Sequence, residues 1–256
     1  MTLETCIEAV RTQDPDRFGA VLIAPPSDRP ALITLYALNL EIARAPFQSN
    51  EPMLAEMRLQ WWVDRLAEMG QGVAPPLHDV LTPLWDAWGQ NAGSLVELAE
   101  ARRRDCAREP FADPQAVVDY IDATAGLLMW LAAQRLGAPM NSHSVVAEQG
   151  RGAGIAKWLR ALPQLQAIGI GMALSRPEDA AKLAKLAQEA LEYAAGQRKL
   201  LPKRAAAALY PGPRVAPFLA QVAAGKIDPF KETPAITPFQ RRASFARLAM
   251  TNRWWR

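Results

Sequence analysis

Apolar residues recur along the chain with the period of an α-helix, and most prolines stand where a helix would begin or end. Residues 28–45 are predicted to form one helix, with Asp28 as its N-cap and Pro30 in its first turn. A second helix is predicted to begin near Asn50 and to end at Gly70. We expect these two helices to pack as an antiparallel pair.

Both helices carry an apolar stripe that should face the core. In the first helix the stripe consists of Leu32, Leu35, Tyr36, Asn39, Ile42 and Ala43. In the second helix it consists of Leu54, Met57, Trp61, Leu66 and Met69.

The segment "DPQAVVDYIDATAGLLMWLAAQRLGAP" has the best-marked helix boundaries in the chain. Asp113 is predicted to be the N-cap, Pro114 the first helical residue, and Gly137 the residue just past the last turn. A further helix is predicted over residues 144–162, with Pro163 ending it because proline lacks the N–H that a helix interior needs.

No stretch of strand length alternates β-branched with polar residues, so the predicted fold class is all-α. The length suits a single-domain helical bundle covering residues 1–256. Within it, residues 223–238 are predicted to form a proline-rich loop and residues 239–256 a closing helix.

Composition and charge exclude several functional classes. Half of the residues are apolar and 21% are charged, which is typical of a globular protein with a substantial core. A net charge of +3 is too small to indicate a nucleic-acid partner. The apolar runs are shorter than the roughly 20 residues that span a bilayer. Since no export signal is visible and Cys6 and Cys106 form no metal or disulfide motif, we expect a cytoplasmic location.

Few residues suit catalysis. His78 and His143 lie in loop-like settings without a carboxylate or thiol at ligand spacing, so both are predicted to be surface residues. No nucleophile elbow, P-loop or dinucleotide motif is present. The glycines of "GRGAGIAKWLRALP" follow no strand, which favours close helix packing over phosphate binding.

An all-helical chain could still carry one kind of chemistry. Paired acids on facing helices can hold Mg²⁺ against a diphosphate. Four segments resemble, in order and spacing, the squalene/phytoene synthase family: "DRFGAVLIAPPSDRPALITLYALNLEIAR", "EPMLAEMRLQWWVDRL", "EARRRDCAREPFADPQAVVDYIDATAGLLMWLAAQRLG" and "GAGIAKWLRALP". The resemblance implies a helical bundle of the isoprenoid synthase type. It also implies Mg²⁺-dependent condensation of prenyl diphosphates.

The chain departs from that family where the metal would bind. The resemblance places the two aspartate-rich motifs near residues 43–47, "ARAPF", and 165–169, "LQAIG", and neither segment contains an acid. Without bridging cations, the charge that develops on a leaving diphosphate is not stabilised. We therefore predict no catalytic residues, no metal ligands and no cofactor.

The stretch "GIAKWLRALP" also resembles a degenerate branch of the family, represented by the mitochondrial assembly factor for respiratory complex I. The resulting hypothesis is a catalytically inactive scaffold, an assembly or accessory factor whose partners are respiratory complex subunits or another protein. The alternative is a prenyl-diphosphate-condensing transferase with an atypical metal site, and only this alternative requires Mg²⁺.

Four polar residues are candidates for a remnant of the site. Asp119 and Asp122 are spaced to share one helix face, although two carboxylates make a poor Mg²⁺ site. Lys157 and Arg160 lie near the family's second motif. These cations either form ion pairs with the two acids or are exposed to solvent.

The C-terminal segment allows two interpretations. Phe239, Ala243, Ala246 and Met250 share one side of the predicted last helix, which is either a partly buried closing helix or an interfacial one. In the interfacial case Arg253, Trp254 and Trp255 would contact a partner or the inner membrane surface, giving weak peripheral association.

We also expect an apolar cavity near Tyr36, Trp61 and Trp130, because bulky residues there alternate with many alanines and glycines. Such a cavity would accept a small lipid ligand.

Overall fold

The computed structural model describes residues 2–255, which fold into helices joined by turns and loops. This range contains no strand, and one isolated parallel bridge joins Phe111 to Met172. The all-α prediction is confirmed. The chain forms two compact units, Met1–Ala107 and Arg108–Arg256.

The first unit is built from short and medium helices around an aliphatic core. Its α-helices are α1 (Leu3–Gln13), α2 (Pro15–Val21), α3 (Arg29–Arg44), α4 (Pro52–Gly70), α5 (Leu81–Trp88), α6 (Val96–Glu100) and α7 (Arg103–Ala107). Two 3₁₀ helices, Ala45–Phe47 and Gly89–Leu95, connect them.

Helix α3 lies at the centre of this unit. Residues 31–39 are all buried, so burial extends well beyond the predicted stripe. Asp28 occupies the N-cap position, but its side chain makes no capping hydrogen bond. The predicted antiparallel pair with α4 is wrong, since α3 packs mainly on α1 and α5. Trp88 of α5 donates its indole N–H to the Ala31 carbonyl of α3 at 3.0 Å, which links these two helices.

Helix α4 has the predicted bounds but only part of the predicted buried face, in which Leu66 and Met69 are buried. Met57 is 62% exposed and Trp61 38% exposed, although both belong to the predicted stripe. Leu59 and Trp62 are buried instead. The sequence of α4 contains two overlapping apolar stripes, and the structure buries the one that lets α4 pack against the 3₁₀ helix Gly89–Leu95.

His78 is a helix cap rather than a simple surface residue. Its Nδ1 accepts hydrogen bonds from the backbone N–H groups of Val80 at 3.1 Å and Leu81 at 3.3 Å, at the start of α5. Its half-buried ring packs against Trp61 and Trp62. The ring thus satisfies N–H groups that a helix start leaves unpaired.

The two cysteines are free and buried. Burial, together with the Asp79 and Glu41 carboxylates, raises the pKa of the Cys6 thiol to about 11. Burial also raises the pKa of Cys106. Neither thiol is therefore in the thiolate form that reacts near neutral pH.

The second unit packs longer helices around an apolar core. Its α-helices are α8 (Pro114–Ile121), α9 (Leu127–Arg135), α10 (His143–Ala167), α11 (Pro177–Gly196), α12 (Val215–Ala223) and α13 (Pro238–Thr251). The 3₁₀ helices are Met140–Ser142, Arg198–Leu200 and Lys203–Ala207.

The helix predicted after Asp113 is present, but a π-helical turn (Asp122–Gly126) divides it into α8 and α9. Asp113 caps it by accepting a hydrogen bond from the Ala116 N–H at 2.9 Å, and Gly137 follows its end with φ +87°. Pro114–Arg135 is long and apolar enough to cross a membrane, yet 56% of its most apolar window is buried within the protein. A buried core helix has the same properties.

Helix α10 continues through Pro163 to Ala167, so the predicted helix end at Pro163 is wrong. Leu159 and Leu162, just before the proline, are fully buried. Their packing offsets the backbone hydrogen bond that proline removes. His143 is exposed, as predicted, and its ring lies against Trp130.

The last helix, α13, is closed at both ends by local geometry. Thr237 forms a capping box with Gln240 at its start. Asn252 adopts a left-handed conformation, φ +51°, which stops the helix before the predicted end at residue 256. The chain then turns back, burying Trp254 against the second unit's own helices.

Candidate functional site

Asp122 opens the π-helical turn and is held by an arginine of α10. Arg151 donates from Nε to Asp122 Oδ1 at 2.9 Å and from Nη2 to Oδ2 at 2.7 Å, a two-pronged pair. Its third nitrogen, Nη1, pairs with Glu148. These partners, Asp122 first, raise the pKa of Arg151. A carboxylate bound in this way has little capacity left for a metal ion.

The other candidate residues are not brought to that pair. Asp119 is exposed and accepts a hydrogen bond from Gln115 at 2.8 Å. Lys157 is exposed. Arg160 lies over the Phe218 ring at 4.7 Å and donates to the Arg214 carbonyl at 3.0 Å.

Of the two alternatives for these cations, ion pairing with Asp119 and Asp122 is not found, and Lys157 follows the other alternative, exposure to solvent. Arg151, which no motif in the sequence singles out, is the cation that pairs with Asp122. Asp119 and Asp122 also have different partners, so they do not act as one carboxylate pair.

The segments expected to carry the metal motifs have ordinary helical roles. Residues 43–47 include the end of α3, where Arg44 pairs with Glu41, and residues 165–169 include the end of α10. Across residues 2–255, no group of three or more His, Cys, Asp or Glu side chains is arranged to hold a metal ion.

The glycines of α10 allow close helix packing, which confirms their predicted role. A Cβ at Gly150 would lie 2.7 Å from the Cα of Gly126 in the π-helical turn. One at Gly152 would lie 2.8 Å from the Ala187 carbonyl oxygen of α11. One at Gly154 would lie 2.5 Å from the Ile121 side chain of α8. Gly150 and Gly152 thus bring α10 close to the backbones of the π-helical turn and of α11, and Gly154 makes room for side chains on the α8 side.

The second unit contains an open cavity of about 540 Å³, bounded by α11, α12, α13 and the turn after α13. We call it the α11–α13 groove. Its walls are mainly apolar, and the large apolar side chains lining it are Leu191, Val215, Leu219, Phe239, Trp254 and Trp255. Glu192, Arg214 and Arg247 also line it and are exposed.

Gln149 of α10 is the most deeply buried polar residue of this groove, with 1% of its surface exposed. Its Nε2 donates to the Leu209 carbonyl at 2.8 Å, which fixes the orientation of the amide. Its Oε1 is buried and accepts no hydrogen bond. The groove therefore contains one unsatisfied acceptor among apolar walls.

Both C-terminal tryptophans, Trp254 and Trp255, line this groove. Trp254 is only 3% exposed, and the two indole rings meet edge to face at 5.5 Å. Arg198 lies over the Trp255 ring at 5.4 Å. The turn at Asn252 folds Trp254 inward, so that its side chain offers little surface to a membrane or partner, and the interfacial role of this segment stays a prediction. Arg253 is exposed.

The apolar cavity expected near Tyr36, Trp61 and Trp130 is not the one described above. Tyr36 and Trp130 are buried, Trp61 lies at the surface, and none of the three lines the groove. Apart from Gln149, the lining of the groove comes instead from residues 188–255.

Comparison with protein families decides the classification. The model of the family described as squalene/phytoene synthase matches residues 10–201. The chain belongs to the squalene/phytoene synthase family. Comparison with curated protein sequences gave no significant match.

Solved structures similar to this squalene/phytoene synthase family member share its fold at low sequence identity. A dehydrosqualene synthase in complex with a ligand has a TM-score of 0.78 at 12% identity, over 97% of this chain and 95% of that one. Squalene synthase HpnC from Alicyclobacillus acidocaldarius has a TM-score of 0.67 at 14% identity, over 98% and 94%. YisP from Bacillus subtilis has a TM-score of 0.60 at 15% identity, over 95% and 94%. The predicted isoprenoid synthase fold is confirmed.

Proposed function

We propose that this family member is catalytically inactive and acts as a scaffold, an assembly or accessory factor for a membrane complex such as a respiratory complex. The observation that carries the first part is the lack of metal-holding carboxylates in the two motif segments and elsewhere in residues 2–255. Asp122, one of the two candidate acids, is bound by Arg151.

The physical argument concerns the charge of the leaving group. Ionising a prenyl diphosphate places negative charge on a group that is already anionic, and metal ions normally stabilise it. Loss of even one preorganised electrostatic group costs about 10²–10³ in rate. Because all the motif carboxylates are absent, we expect diphosphate release at a rate indistinguishable from the uncatalysed reaction.

The test is incubation with farnesyl or geranylgeranyl diphosphate and Mg²⁺, with diphosphate release as the readout. We expect no release above a protein-free control, while an active squalene synthase run in parallel releases it. Metal-dependent release would establish the alternative, a condensing transferase with an atypical metal site. Loss of that release in Asp122→Asn, with Asp86→Asn as an exposed control, would then locate the metal.

The accessory role rests on the resemblance of "GIAKWLRALP" to the complex I assembly factor branch. A factor of this kind would be cytoplasmic and would work at the inner membrane surface through protein contacts. Deleting the gene should lower the amount of the assembled respiratory complex on native gels. Re-expression of the chain should restore it. Unchanged assembly in the deletion strain would refute this role.

A further inference from the structure

The α11–α13 groove has the size of a small-molecule site. Its volume of about 540 Å³ falls inside the range of about 300–1,000 Å³ that is usual for ligand pockets. Such sites combine apolar walls with a few placed polar groups. Trp254, Phe239 and Leu219 supply apolar wall, and Gln149 supplies the buried polar group.

The state of Gln149 indicates what the ligand must offer. A buried acceptor without a donor is costly, and native proteins seldom leave one unsatisfied. Because Nε2 is already bonded to the Leu209 carbonyl, the amide cannot rotate to remove the deficit without breaking that bond. A ligand that donates a hydrogen bond to Oε1 would satisfy the acceptor.

We propose that the α11–α13 groove binds a molecule with a long apolar body and one terminal hydrogen-bond donor, namely a long-chain alcohol. The apolar body lies along the walls formed by α11, α12 and the C-terminal tryptophans. The hydroxyl donates to Gln149 Oε1. This inference does not depend on the proposed accessory role, because it concerns occupancy of the groove and not catalysis or partners.

An anionic head group fits less well than a hydroxyl. Carboxylates and diphosphates present acceptors, which would face the acceptor Oε1 without a shared proton. Arg214 and Arg247 at the groove are exposed and accompanied by Glu192, so their attraction for an anion is screened by solvent and salt. The charged residues therefore do not reverse the preference set by Gln149.

The proposal is tested with three ligands that share one apolar chain: decanol, decyl methyl ether and decanoate. Binding to the full chain is measured by isothermal titration calorimetry. One hydrogen bond to a buried acceptor should make decanol bind about tenfold more tightly than the ether, which cannot donate. Decanoate should be weaker than decanol. Equal affinity for alcohol and ether, or tighter binding of decanoate, would overturn the proposal.

Two sets of variants locate the site. Gln149→Met keeps the length of the side chain but removes the acceptor, so the preference for alcohol over ether should disappear while apolar binding remains. Ala243→Trp fills the groove and should abolish binding of all three ligands. Ala249→Trp is the matched control, since Ala249 is an exposed alanine of the same helix that does not line the groove. Retained binding in Ala243→Trp, or equal loss in Ala249→Trp, would contradict the assignment.

Discussion

Replacing Gly150 with alanine tests whether backbone-level packing of α10 holds the second unit together. The added Cβ would lie 2.7 Å from the Cα of Gly126 and 3.4 Å from its carbonyl oxygen. Carbon atoms pack best at about 3.5–4.0 Å, so α10 and the π-helical turn must separate by roughly 1 Å. Both contacts are backbone atoms, which cannot move aside as a flexible side chain can.

Two opposing effects determine the size of the change. Overpacking a well-filled interior costs about 1–3 kcal/mol. Alanine is favoured over glycine in a helix interior by about 1 kcal/mol. We expect the overpacking to prevail, with a net loss of about 1–2 kcal/mol because the clash involves backbone. At about 2–4 °C per kcal/mol for a chain of this size, Tm should fall by about 2–8 °C.

Gly126, on the other side of this contact, provides a control, because a Cβ added there would point in a different direction from one added at Gly150. At Gly126 that atom would meet the Ile121 carbonyl oxygen at 3.5 Å, an ordinary contact. Gly196, at the end of α11, has nothing within 4 Å. Thermal unfolding followed by circular dichroism should therefore show Gly126→Ala and Gly196→Ala at or above the wild-type Tm. If Gly150→Ala is as stable as these two, the close-packing argument is wrong.

Three further predictions concern ion pairing, pH and helix capping. Arg151→Met should lower the free energy of unfolding by about 1 kcal/mol in urea titration, since it leaves the partly buried Asp122 without its partner. Arg11→Met, at an exposed ion pair, is the control and should change the free energy of unfolding by less than about 0.5 kcal/mol. Burial raises the pKa of Tyr36 to about 12. The unfolded phenol, with a pKa of about 10, loses its proton first, so stability should fall as pH rises from about 10 toward 12. Tyr36→Phe should reduce that fall, and an unchanged pH profile would contradict it. Thr237→Ala removes the capping box of α13 and should lower the free energy of unfolding by about 1 kcal/mol, while Thr237→Ser should keep most of that stability. Equal stability of the two variants would count against a stabilising role for the cap.

The fold class and most helix positions follow from the sequence because helical period and proline punctuation are local signals. Local signals fail where tertiary packing decides. The predicted end at Pro163 is overridden by the burial of Leu159 and Leu162. The buried face of α4 is chosen between two overlapping stripes by what packs against it. Neither choice is visible in the residues of the helix alone.

The candidate site follows from the sequence less directly than the fold does. Asp122 and Arg151 are 29 residues apart in sequence, and helix spacing says nothing about partners at that distance. The groove depends on Asn252, whose left-handed conformation turns the chain and buries Trp254. An asparagine near a helix end is a possible signal for such a turn, but it does not reveal which surface receives the indole.

The burial of both native cysteines makes the chain suited to spectroscopic labelling without prior removal of thiols. Cys6 and Cys106 are shielded from reagents in the folded state and have raised pKa values. A cysteine introduced at exposed Ala243 would therefore react much faster than either native thiol. An environment-sensitive dye at that position would report directly on the wall of the groove, and the slow labelling of the native thiols would serve as an internal measure of unfolding in the same sample.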